Sequence, residues 1–146
     1  MYTKYLHMNP IITREQAQYI YRVSYLLPCS SIYAIYRHHY NLAIVPGSVF
    51  LTSIHYWKKP DHSYRRYLDM TTVISAFIYQ NYMAYNAEYA NIYYTLSFFS
   101  VVSYPIGIYY YNKKYYWESI YAHMMLHILA NMANIVLYSG YIHISN

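Results

Sequence analysis

The sequence predicts an all-α integral membrane protein, a single multi-pass bundle of about five transmembrane helices with residues 1–146 forming one domain. Charged residues make up 10% of the chain and hydrophobic residues 58%, whereas soluble domains carry roughly a quarter charged residues. Beyond Asp69 the only charged side chains are Glu88, Lys113, Lys114 and Glu118. The uncharged runs 38–57, 70–87, 89–112 and 119–146 are each near or above the roughly 20 residues a helix needs to cross the hydrocarbon layer. Mean hydropathy is only +0.02 because 26 residues are Tyr, and hydropathy scales penalise a phenol whose ring partitions well into the headgroup boundary. Spacing of charge is therefore the better guide than the average.

Residues 1–18 are mostly polar, without an apolar core and small-residue cleavage site, so no removable signal peptide is expected and the first span inserts itself. That span, 19–36, contains Arg22, which can snorkel to the surface, and Pro28, which membrane helices tolerate. The second span, 40–57, includes Pro46 and Gly47. A charged connector, 58–66, precedes the third span at 68–86. The fourth, 91–111, holds Pro105 and Gly107, and the fifth covers 118–140. Short loops leave no room for a soluble domain, and no internal repeat is present.

With five spans, Lys4, Arg14, Lys58, Lys59, Arg65, Arg66, Lys113 and Lys114 fall on one side and Arg37 on the other. The positive-inside rule then puts the N-terminus and the basic loops in the cytoplasm and the C-terminus outside. A net charge of +5 suits loops resting on anionic headgroups of the lipid bilayer. Basic residues scattered over separate loops do not form a nucleic-acid surface. Cys29 is the only cysteine, which excludes an internal disulfide and a thiolate cluster. The Tyr, Ile and Asn bias with only 3 Gly fits AT-rich coding, as in a large DNA virus, and hence a host or virion membrane.

The candidate chemistry lies in two places. His123 and His127 are four residues apart on the fifth span, so they share a helical face and their imidazoles suit one metal ion, commonly zinc. The alternative is that they serve, with Asn131 and Asn134, as hydrogen-bonding glue between helices. Ser53 and Trp57 share a face at the end of the second span, with His55 nearly opposite, and Asp69 opens the third span. Parity puts Ser53, Asp69, His123 and His127 near one membrane surface. Asp69 equally suits a first-turn carboxylate favoured by the helix dipole, and Ser53 a back-bonded membrane serine. The Tyr runs at span ends read as an aromatic belt.

A Ser four residues before a ligand position, an Asp starting the next span and a late His-x-x-x-His resemble the superfamily uniting alkaline ceramidases with the progestin and adipoQ receptors. The resemblance rests on Ser53, Asp69, His123 and His127, about a dozen positions with their surroundings. It implies a membrane helix bundle with a zinc-dependent lipid amide hydrolase site, in which Ser53 and Asp69 are catalytic and His123 and His127 bind metal. The first ligand position departs from the pattern: it is Trp57, not His. A third zinc ligand would have to come from His55 or His62.

Two functional readings follow. One is a non-catalytic structural or interaction component of a membrane. The other is a reduced zinc-dependent hydrolase acting on a ceramide-like lipid substrate. A small channel or transporter is disfavoured, since spans two to five lack internal charges and paired discontinuous segments.

Overall fold

The computed structural model describes residues 11–143 and is all-helical, with α1 (Arg14–Ser24), α2 (Leu27–Tyr36), α3 (Tyr40–Trp57), α4 (Tyr64–Ala84), α5 (Ala90–Asn112) and α6 (Tyr116–Ser139). Among the described residues the one piece of extended pairing is an isolated antiparallel bridge between Ala87 and Ile142.

The first expected span is two helices. Thr13 starts α1 with a capping box: its hydroxyl accepts from the Gln16 N–H and Gln16 Oε1 accepts from the Thr13 N–H. This puts the start of helix at Arg14, inside the stretch expected to be a polar N-terminal segment; residues 1–10 of that segment lie outside the described residues. Pro28 then has no N–H to offer, and its ring would crowd the carbonyl of Ser24, the last residue of α1. The chain breaks at Tyr25 and Leu26, and Pro28 sits in the first turn of α2, where a missing N–H costs nothing.

Two helix ends use the same reversal. The His39 N–H bonds back to the Ala34 carbonyl and the His38 N–H to Ile35, with His38 at φ 62°. The Tyr115 N–H bonds to Tyr110 and the Lys114 N–H to Tyr111, with Lys114 at φ 64°. Both are Schellman ends that turn the chain sharply enough for the next helix to run back alongside.

Pro46 lies inside α3 without breaking it. The Leu42 carbonyl that loses its helical donor there accepts instead from the Tyr138 hydroxyl at 3.4 Å, and that hydroxyl accepts from Gln80 Nε2 at 2.8 Å. This relay links α4, α6 and α3 through fully buried Tyr138. It crosses a core cluster that includes Ala34, Leu42, Ala84, Tyr93 and Leu137. A second cluster, Ile12, Ala17, Ile20 and Ile120, closes the opposite end, with Trp57 packed against it.

The helices form an open horseshoe. α4 packs on α3, α3 on α1 and α2, those two on α6, and α6 along its length on α5, while α4 and α5 barely touch. The α5–α6 approach is close at Gly107, where a Cβ would come within 3.4 Å of the Ser119 carbonyl oxygen. The α4–α5 turn is pinned instead to the tail beyond α6: the Glu88 N–H donates to the Tyr141 carbonyl, the Tyr141 N–H to the Glu88 carboxylate, and the His143 N–H to Asn86. The two helices are thus tied at one end and splayed at the other. One helix among the described residues, Tyr116–Ser139, is both long and apolar enough to cross a membrane.

Candidate functional site

The splay leaves a cavity of about 350 Å³ walled by α3, α4, α5 and α6. Its lining is largely apolar, from Val49, Met70, Phe77, Leu126 and their neighbours, and among the described residues no Lys or Arg contributes to it. Asp69 from α4 and His123 and His127 from α6 all line this cavity, so the sequence-predicted carboxylate and imidazole pair face one space.

Ser53 and Asp69 meet directly. α3 ends and α4 begins across the short connector, and Ser53 Oγ donates to Asp69 Oδ1 at 2.8 Å, both residues being buried. Thr52 Oγ1 lies 2.9 Å from the same oxygen and 3.1 Å from the Val49 carbonyl. Sequence reasoning missed Thr52. The adjacent hydroxyls in Thr52-Ser53 were a usable signal, because neighbouring positions on a helix are only about 100° apart and can flank one acceptor. Asp69 Oδ2 has no partner among the described residues.

His123 and His127 lie ring to ring, with centroids 5.1 Å apart. His123 also meets Trp57, whose indole stands edge-on to it with ring centroids 4.8 Å apart. Trp57 Nε1, His127 Nε2 and Asn131 Oδ1 are buried and without a hydrogen-bond partner among the described residues. Such groups normally carry a protein or solvent partner, and leaving one unmet costs about 1–3 kcal/mol. The expected glue of His127 and Asn131 between helices is therefore not made through these atoms.

The structure does not bring His55 or His62 to the pair. His55 is exposed, with its Nε2 3.5 Å from the Tyr64 hydroxyl, and His62 is exposed, with Nδ1 3.1 Å from an Arg66 nitrogen. The helical period explains His55, which points away from the face that carries Ser53 and Trp57. His62 stays in the connector because that segment is ordered by its own contacts: Asp61 pairs with Arg65, accepts the Ser63 N–H and leaves the chain facing outward. Burial alone would push the Asp61 carboxyl up, but hydrogen bonds from Ser63 and Arg65 outweigh it and hold the group below its ordinary value.

The four candidate His do not assemble a zinc centre among the described residues. No three His, Cys, Asp or Glu among the described residues come together as a metal site, and a catalytic zinc takes three protein ligands. Trp57 cannot replace the missing one, since an indole offers a single N–H and no lone pair for coordination. What the geometry does provide is a buried carboxylate with one oxygen held by hydroxyls and a pair of imidazoles, all lining one apolar cavity.

No protein-family model, curated protein or solved structure matches this chain.

Proposed function

We propose that this protein is a small multi-pass integral membrane protein with a non-catalytic structural or binding role. Five spans are built from the broken α1–α2 pair and from α3, α4, α5 and α6. The reading rests above all on large apolar side chains turned outward at mid-helix: Ile44, Leu51, Ile78 and Phe98 are 63% to 68% exposed. A soluble chain would leave these four in water on three different helices, against the usual limit on exposed apolar patches. Helices of 18, 21, 23 and 24 residues are about 27–36 Å long at 1.5 Å per residue, close to the thickness of a bilayer core.

Tyr explains why α5 falls short on hydropathy although it has no charged residue: Tyr93, Tyr94, Tyr104, Tyr109, Tyr110 and Tyr111 depress its average. The N-terminus, the 58–66 connector and the Lys113–Lys114 turn lie on the cytoplasmic side. The tail beyond α6 lies outside.

The non-catalytic half of the reading rests on Trp57, which occupies the space beside His123 that a third ligand would need. Alkaline carbonate extraction of membranes tests the membrane half. Retention in the pellet supports it, and release with peripheral proteins overturns it.

A further inference from the structure

We infer that the cavity between α4 and α5 takes a single-chain membrane lipid whose head donates hydrogen bonds and carries no negative charge. The inference rests on the membrane-embedded reading, because it makes the bilayer the source of the ligand.

Access comes first. Ile74, Phe77, Val101 and Tyr104 line the cavity and are also exposed on the outer surface, so they form the lips of an opening between α4 and α5. That opening leads sideways to the same apolar surface that faces hydrocarbon. A molecule already dissolved in the bilayer reaches it without crossing water.

Size comes next. The cavity's roughly 350 Å³ lies near the lower end of the ~300–1,000 Å³ typical of small-molecule sites. One acyl or isoprenoid chain suits such a volume better than two.

Head chemistry follows from the polar wall. Two hydroxyls occupy Asp69 Oδ1, and Oδ2 has no partner among the described residues, so the carboxylate presents an acceptor to whatever enters. His123 and His127, on α6, also line the cavity. Among the described residues no Lys or Arg lines the cavity, so a phosphate or carboxylate head would be desolvated beside Asp69 with no cation there to compensate. A hydroxyl or amine head donates to the carboxylate without that cost.

The test uses the full chain in phosphatidylcholine nanodiscs with a trace of photoactivatable long-chain monoacylglycerol. Crosslinks are expected on α4, α5 or α6. Unlabelled monoacylglycerol and a long-chain amine should compete, and a fatty acid and a lysophosphatidic acid of equal chain length should compete at least about tenfold less well, the loss expected when a charge-assisted hydrogen bond is replaced by repulsion.

Asp69→Asn keeps an acceptor oxygen for Ser53 and Thr52 and turns an amide NH₂ to the cavity. It should weaken monoacylglycerol competition about tenfold and strengthen that of the fatty acid. Ala130→Phe fills the cavity and should remove the crosslink at unchanged helix content. If that variant does not fold, the reversal of head preference in Asp69→Asn still decides. Equal competition by anionic lipids, or a crosslink indifferent to Asp69→Asn, overturns the inference. Absence of crosslinks in a chain that resists carbonate extraction overturns this inference alone, whereas extraction of the chain removes the reading beneath it.

Discussion

The indole of Trp57 stands edge-on to the imidazole of His123, ring centroids 4.8 Å apart and planes at 62°. This contact sets a group that cannot bind metal against one member of the two-histidine pair. Trp57→His should open a three-imidazole set, so purified wild-type protein is expected to hold far less than one zinc per chain and the variant to approach about one. Elemental analysis after dialysis measures both. Stoichiometric zinc in the wild type, lost in a His123→Ala, His127→Ala double variant, would reverse the non-catalytic reading.

Ser53 and Thr52 both serve one oxygen of a buried carboxylate. Ser53→Ala or Thr52→Val alone should cost about 1.5–3 kcal/mol, the range for hydrogen bonds to charged groups. The double variant should lose more than the sum, because the last donor to a buried charge goes with it. Unfolding in detergent provides the cycle. Additive losses would mean that Asp69 recruits another donor.

The Asp61–Arg65 pair predicts a pH effect in the connector. The native pKa of Asp61 is lowered, so its contribution is complete above the ordinary carboxyl range near pH 4 and is lost as pH falls through the lowered native value. Arg65→Gln should therefore lower stability at neutral pH and narrow its difference from wild type below about pH 4, where carboxyl groups become protonated. A gap between the two proteins that widens on acidification would contradict the assignment.

Gly140 lets the tail pass under the α4–α5 turn. A Cβ there would meet the Tyr89 ring at 2.9 Å and Glu88 Cβ at 3.0 Å, closer than side chains tolerate without movement. Gly140→Ala should loosen the clasp, which hydrogen exchange reads as faster exchange at the Glu88, Tyr141 and His143 amides. Unchanged protection at all three would show that the turn is held elsewhere.

Helix positions were legible because charge spacing marks them. The expected span 40–57 is α3 to the residue, and 68–86, 91–111 and 118–140 correspond to α4, α5 and α6 within a few residues. The division of 19–36 was not legible, because one proline breaks a helix and another does not. Pro28 ends α1 at Ser24, while Pro46 is carried through α3 by the Tyr138 hydroxyl, a donor 96 positions away. For the site, helical period and span order allowed Ser53, Asp69 and both His to converge without requiring it, and the structure sets Ser53 against Asp69 and lines one cavity with Asp69 and both His. Thr52 as a second donor, Trp57 against His123 and the cavity itself depend on how closely α3, α4 and α6 approach, and side-chain spacing along one chain carries no record of that.

The central claim is a multi-pass chain whose connector and tail lie on opposite sides of a membrane. Single cysteines at positions 62 and 143 in a Cys29→Ser background test it most directly, by labelling sealed vesicles of known orientation with a membrane-impermeant thiol reagent. Residue 62 is expected to react only from the cytoplasmic side and residue 143 only from the opposite side. Reaction of both from one side, or of residue 62 from outside, would contradict it.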